Sequence, residues 1–272
     1  MAGATVELEQ VGKRYGVGRP WVFKDVDLAL DGGSVVELAG VNGAGKSTLL
    51  RILSGATLPS SGRRLVAREV GPGLGYMPER LTAPALSAAT YLRHHVRLRG
   101  LEPHAGDKQV SDLADSLEAR QLLAEPMAAL SKGSLQKVVA IQCLLGSPRV
   151  LVLDEPFASL DARARQTLWR LMAMRAHDGA AVMFCDHHDW SGRQADRRFV
   201  LSDGVLAEES SAAPPASPGR ESPERRVRRV VGHGESDREI SRLIDDGWHV
   251  VRVSERPSGG IEIEAVRRDP PR

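Results

Sequence analysis

The chain has 272 residues, 42% of them hydrophobic and 26% charged, with a formal net charge of +2, which allows one sizeable core and a smaller second unit. No apolar run approaches the roughly 18 residues a membrane helix requires, and the opening MAGATVELEQ lacks the basic-then-apolar layout of a signal peptide. These features exclude a self-contained membrane channel, predict a cytoplasmic location, and give no global basic footprint for nucleic acid.

Along the chain, Val6 and Leu8 alternate with Glu7 and Glu9, and Val26, Leu28 and Leu30 alternate with Asp25 and Asp27. That period of two predicts half-buried strands and an antiparallel sheet at the start of the fold. From Ser34 the pattern changes to short apolar runs, each followed by a helical segment: VVELAG before KSTLLRILSG, and VLVLDEP before ARARQTLWRLMAMRAHDG. Such alternation predicts an α/β unit with a parallel sheet and crossover helices. Between these pairs, about 84–130 is rich in Ala and Leu at helical spacing and reads as a helical insert. Cys143 and Cys185 lie in the apolar runs IQCLL and VMFC and read as buried, reduced thiols. After Gly204, SSAAPPASPGRESPE is too poor in large apolar residues to fold, so 208–225 is expected to be a linker. The stretch 226–268 then reads as a small βαββ unit. Ser236 and Glu239 form a capping box, Gly247 can end the helix, and HVVRVS and GIEIEAV are strands. Its basic cluster, Arg225, Arg226, Arg228 and Arg229, lies within a tail where 12 arginines face 11 acids from Ser217 onward, so it reads as a solvated strand edge with no nucleic-acid partner.

The strongest chemical signal is Gly40-Val41-Asn42-Gly43-Ala44-Gly45-Lys46-Ser47, a complete GxxxxGK[ST] between a strand and a helix. In that context Gly40, Asn42, Gly43, Ala44 and Gly45 turn backbone N–H groups toward phosphate oxygens, and the helix beginning with Lys46, Ser47 and Thr48 adds its positive dipole end. Lys46 reaches the terminal phosphates, and Ser47 can ligate Mg²⁺. The second signal is Asp154-Glu155 at the carboxyl end of an apolar strand, where ligands sit in open α/β sheets. Asp154 suits a water-mediated hold on Mg²⁺, and Glu155 suits polarisation of an attacking water.

Between those elements stands Leu130-Ser131-Lys132-Gly133-Ser134-Leu135-Gln136-Lys137, which resembles the LSGGQ signature of ATP-binding cassette (ABC) proteins. The resemblance spans about 5–207, with the motifs in the family's order. It implies an ABC nucleotide-binding domain over 1–207: a P-loop NTPase (RecA-like) core with an N-terminal antiparallel β subdomain and a helical insert, followed by the small α+β C-terminal unit. The function it implies is that of an ATPase subunit energising a separate membrane permease, peripheral at the inner face of the cell membrane. ATP and Mg²⁺ are the implied cofactors, and a second nucleotide-binding domain, identical or closely related, is the implied partner. Ser131 and Gly133 would contact the γ-phosphate of the partner's ATP, although Ser131 is equally an ordinary helix cap. Tyr15 matches the adenine-stacking aromatic or else packs. Asp161, in Ala158-Ser159-Leu160-Asp161, matches the D-loop and can also cap the following helix. His187, with His188 as alternative, matches the switch histidine. Glu79, in Gly75-Tyr76-Met77-Pro78-Glu79, stands where the family usually has a glutamine near Mg²⁺. This YMPE and the LSKG form resemble the ABC-2 or drug-exporter-like branch and imply export. A soluble ABC protein acting on ribosomes or DNA is the alternative. Such relatives usually have paired cassettes or a long coiled-coil insertion, and neither occurs here.

Overall fold

The computed structural model describes residues 5–70, 73–186, 195–209, 224–231, 249–255 and 261–268. The chain divides into two compact units, Met1–Ser211 and Ala212–Arg272.

In the first unit, β1 (Val6–Lys13), β2 (Phe23–Leu30) and β4 (Ser61–Val66) form an antiparallel sheet in the order β2-β1-β4. The alternation in β1 holds for Val6 and Leu8, which are buried. It breaks after Glu9, where the register shifts and Gln10 adopts φ 48°. The larger sheet has six strands in the order β5-β6-β7-β3-β8-β9. These are β3 (Ser34–Ala39), β5 (Leu74–Met77), β6 (Val150–Asp154), β7 (Ala181–Cys185), β8 (Arg197–Ser202) and β9 (Val205–Glu209). Pairing is parallel from β5 to β8, while β9 adds an antiparallel edge to β8.

The continuous apolar strands β6 and β7 are buried at every position, as expected for parallel strands covered on both faces. Their period of two divides them between two cores. Leu151, Leu153, Val182 and Phe184 pack with the helical insert, α4 (Lys132–Leu144) and α5 (Ala162–His177). Val150, Val152, Ala181, Met183 and Cys185 pack with α1 (Lys46–Ser54) and the antiparallel sheet. The insert consists of α2 (Ala88–Leu98), α3 (Pro103–Ser116) and two short 3₁₀ turns. The half-buried Arg99 guanidinium fastens it to α4 by donating to the carbonyls of Gln142 (3.0 Å), Cys143 (3.4 Å) and Leu145. This arrangement brings the carboxyl ends of β3, β6 and β7 to one edge of the sheet, with Asp154 paired to Cys185 in register. Among the described residues, no helix is long and apolar enough to cross a membrane.

In the second unit, β10 (Glu224–Val231), β11 (His249–Glu255) and β12 (Ile261–Arg268) form an antiparallel sheet in the order β10-β12-β11. β9 ends at Glu209 and β10 begins at Glu224, so strands reach into both ends of 208–225. The helix expected after Ser236 lies outside the described residues.

Candidate functional site

The turn between β3 and α1 depends on glycine. Gly40, Gly43 and Gly45 have φ of 144°, 82° and 105°, in the left-handed half of backbone space that side chains rarely allow. A Cβ on Gly40 would lie 2.3 Å from the Leu201 carbonyl oxygen, and one on Gly45 would lie 2.6 Å from Val22 Cγ1. Helix α1 receives no side-chain cap at its N-terminus, whereas Ser87, Glu102, Ser131 and Asp161 cap α2 to α5. Its first-turn N–H groups are therefore available to an anion. Lys46 is only 6% exposed, and its ammonium donates to the Gly40 carbonyl at 2.8 Å and the Val41 carbonyl at 3.1 Å.

A cavity of about 590 Å³ opens over this turn, lined by Val22, Asn42, Gly43, Gly45, Lys46, Ser47, Thr48, Glu79 and Glu155. Beside it Asp154 is 1% exposed. Its Oδ1 accepts two hydrogen bonds, from Ser47 Oγ at 3.1 Å and from Cys185 Sγ at 3.0 Å. Its Oδ2 is buried with no hydrogen-bond partner among the described residues. Burial, and after it the neighbouring Asp154, push the Cys185 thiol up, so the thiol keeps its proton and donates. A buried carboxylate oxygen without a donor is a costly arrangement. Next to the Ser47 hydroxyl, it fits a hard divalent cation such as Mg²⁺, which takes oxygen ligands and water, while the described residues hold no ready-made cluster of three acidic, histidine or cysteine side chains. Ser47, Asp154 and Glu79 are the residues that could hold it.

Glu155 adopts φ 51°, an unfavourable conformation for a residue with a Cβ and one that concentrates at functional sites. Its amide donates to the Cys185 carbonyl at 2.9 Å. Tyr15 is 56% exposed, with its hydroxyl 3.2 Å from Thr48 Oγ1 and its ring 5.1 Å from the Lys13 ammonium. It stands beside the cavity, and Val22 is the apolar side chain on the cavity wall. Ala44 packs partly buried against the core.

The remaining expected residues form a second group that does not line this cavity. Ser131 is exposed and caps α4 by accepting from the Ser134 amide at 3.1 Å. A Cβ on Gly133 would lie 2.5 Å from the Ser159 carbonyl oxygen. Asp161 caps α5 by accepting from the Ala164 amide at 2.8 Å and pairs with Lys137 at 3.3 Å. The Ala164 N–H, ahead of Lys137, holds the Asp161 carboxyl below its usual range. His187 and His188 lie outside the described residues.

Three contributors are not expected from the sequence. Val22 carried no signal beyond its apolar character. Cys185 reads from its sequence only as core. Gln136 shares a helix face with Gly133, three residues away, and that spacing could have flagged it as facing whatever Gly133 faces. Glu79 also borders a smaller groove of about 240 Å³ with Met77, Leu81, Leu135 and Val139.

With this geometry in place, the comparisons with known proteins agree on the family. Residues 23–158 match the family model described as ABC transporter. The zinc import ATP-binding protein ZnuC of Yersinia pestis is 35% identical over 183 residues, covering 67% of this chain and 69% of that protein. The aliphatic sulfonates import ATP-binding protein SsuB of Mycobacterium avium is 36% identical over 213 residues, covering 77% and 82%. Among solved structures, an ATP-binding subunit of an ABC transporter aligns with a TM-score of 0.68 at 26% identity, covering 75% of this chain and 90% of that one. A dimeric ATP-binding cassette in a post-hydrolysis state with ADP and Pi shares the fold, with a TM-score of 0.68 at 22% identity and coverage of 76% and 99%. The sequence relatives are named as import proteins, so the exporter-like branch inferred from YMPE and LSKG finds no support among them. The chain belongs to the ABC transporter family as an ATP-binding subunit with ATPase activity.

Proposed function

We propose that this chain hydrolyses ATP in order to energise a separate membrane permease, working as a head-to-tail pair of nucleotide-binding domains with itself or a close relative. The observation that carries the reading is one cavity bringing Lys46, Ser47, Glu79 and Glu155 together beside Asp154 Oδ2, which has no hydrogen-bond partner among the described residues. In this proposal the loop amides from Gly40 to Gly45, with Lys46 and Thr48, bind the β- and γ-phosphates, and Tyr15 stacks on the base. Ser47, Asp154 and Glu79 would hold Mg²⁺, which when bound neutralises phosphate charge. Glu155 orients water and draws off its proton as the water oxygen attacks the γ-phosphorus and the bond to the bridging β,γ-oxygen breaks, leaving ADP and phosphate. His187 contacts the γ-phosphate in the same reading.

Ser131 and Gly133 lie outside their own chain's cavity, and Ser131 is exposed at a helix tip. Both fit a role toward the ATP of a partner, where the N-terminal dipole of α4 adds to the grip. Since ATP favours the closed pair, binding and hydrolysis bias a two-state dimer. The groove beside Glu79 and the helical insert is the proposed surface that passes this motion to the permease, which places the cassette, 1–207, peripherally at the inner face of the membrane. Direction belongs to the permease: Glu79 and the LSKG form lean toward export, while the relatives are import proteins. Purified protein should hydrolyse ATP in the presence of Mg²⁺, and Lys46→Ala should abolish that turnover and weaken nucleotide binding by about tenfold or more. Turnover unaffected by Lys46→Ala would overturn the proposal.

A further inference from the structure

Glu155 is held from both sides. Its amide donates to the Cys185 carbonyl at 2.9 Å on β7. Its carbonyl accepts from Gln136 Nε2 at 2.8 Å, a side chain on α4, as well as from the Ala158 amide at 3.4 Å. The same Gln136 side chain uses its other atom, Oε1, to accept from the Ser159 amide at 3.0 Å. One amide group thus closes both ends of the turn from Glu155 to Ser159, and its donor and acceptor each find the complementary backbone group. The approach is tight on either side of it. One turn earlier, Gly133 lets the Ser159 carbonyl come so near that a Cβ would sit 2.5 Å away, and one residue later Lys137 pairs with Asp161 at 3.3 Å. The first two turns of α4 are therefore seated on 155–161 by polar contacts, whereas Val138 to Leu144 face the core. A left-handed backbone at a residue with a Cβ persists only where its surroundings over-determine it, and Gln136 is one of the groups that does so here.

We propose that Gln136 is a positioning residue for ATP hydrolysis. It fixes the Glu155 backbone so that the carboxylate faces the cavity, and it ties that carboxylate to the α4 tip carrying Ser131. The inference rests on the reading of Glu155 and Ser131 given above. Its consequence is a rigid link between two ATP sites. The helix tip that grips the partner's nucleotide is fastened, through one side chain, to the carboxylate that activates water at the chain's own nucleotide.

Two substitutions test it. Gln136→Leu keeps the side chain's approximate size and removes both hydrogen bonds. Gln136→Glu keeps an acceptor for the Ser159 amide and removes the donor to the Glu155 carbonyl. Steady-state ATP hydrolysis, titration with a fluorescent ATP analogue and thermal melting by circular dichroism are measured on the full chain. Both variants should lose about tenfold or more in kcat, with KM and nucleotide affinity within about threefold and melting within a few degrees of the wild type. Gln136→Leu added to Glu155→Gln should cost less than about twofold further, because no carboxylate remains to be positioned. A folded variant within about twofold of wild-type kcat overturns the proposal. So do losses that multiply in the double variant, or a loss of turnover that tracks unfolding, since the contact is then a structural seat only. A wild-type protein without hydrolysis sensitive to Lys46→Ala would instead defeat the functional reading beneath it.

Discussion

Replacing Asp154 by Asn separates what this carboxylate does for the fold from what it does for nucleotide. The side chain is 1% exposed, both of its hydrogen bonds go to Oδ1, and Oδ2 has no partner among the described residues. A buried charge with an unsatisfied oxygen costs several kcal/mol. Asn is of the same shape and keeps the Oδ1 acceptor for Ser47 and Cys185, but it introduces an NH₂ whose unsatisfied donors cost about 1–3 kcal/mol. The charge term is the larger of the two, so the nucleotide-free Asp154→Asn protein should be more stable by about 1 kcal/mol or more, a rise in Tm of about 2 °C or more for a unit of this size. The same change removes the oxygen proposed to face the cation, so the Tm rise on adding Mg²⁺ and ATP should shrink sharply, and turnover should fall by about 100-fold or more. Differential scanning fluorimetry with and without nucleotide reads both quantities. A variant destabilised without ligand, yet still fully protected by Mg²⁺ and ATP, would refute the reasoning and make Asp154 a purely structural acceptor.

Gly133→Ala places a methyl group 2.5 Å from the Ser159 carbonyl oxygen, so α4 must move off the 155–161 turn. The expected result is a loss of about 1–3 kcal/mol in urea unfolding, with turnover lowered more than nucleotide affinity. Asp161→Ala removes the α5 cap and should cost about 1 kcal/mol at neutral pH. Hydrogen bonding holds the Asp161 carboxyl below its ordinary value, so its contribution is present above the unfolded carboxylate pKa and fades as pH falls through the lower folded value. The stability gap between wild type and Asp161→Ala should therefore narrow on acidification, and a gap that widens would contradict the assigned cap.

Much of the site was legible because its demands are local. Gly40, Gly43 and Gly45 announce a turn only glycine can make, and the strand ending in Asp154 and Glu155 announces acids at a sheet edge. Ser131 and Asp161 stand three residues before the amides they cap. β6 and β7 were readable because five consecutive buried positions leave an unmistakable apolar run. β4 was not. Its SGRRLV faces solvent at most positions along a sheet edge, so it shows no alternation. No expectation from the sequence covers β8 and β9 either, and the antiparallel pairing of β9 interrupts the expected parallel pattern. Cys185 meets Asp154 only because β6 and β7 align in that register, and Gln136 reaches Glu155 only once α4 docks on the turn. Such roles are tertiary: the three-residue spacing from Gly133 marks the helix face that Gln136 shares, but not what that face meets. Transport direction belongs to the same class: two short segments suggested export, while relatives matching over 183 and 213 residues are import proteins.

In the proposed mechanism nucleotide joins two copies, with the glycine-rich turn of one facing the Ser131 tip of the other. Gel filtration of Glu155→Gln with Mg²⁺ and ATP tests it most directly, since that variant should bind but not consume the nucleotide. The expected result is a shift to a dimer that reverts without ATP and is absent when Lys46→Ala is added. A nucleotide-loaded protein that elutes as a monomer at every concentration would contradict it.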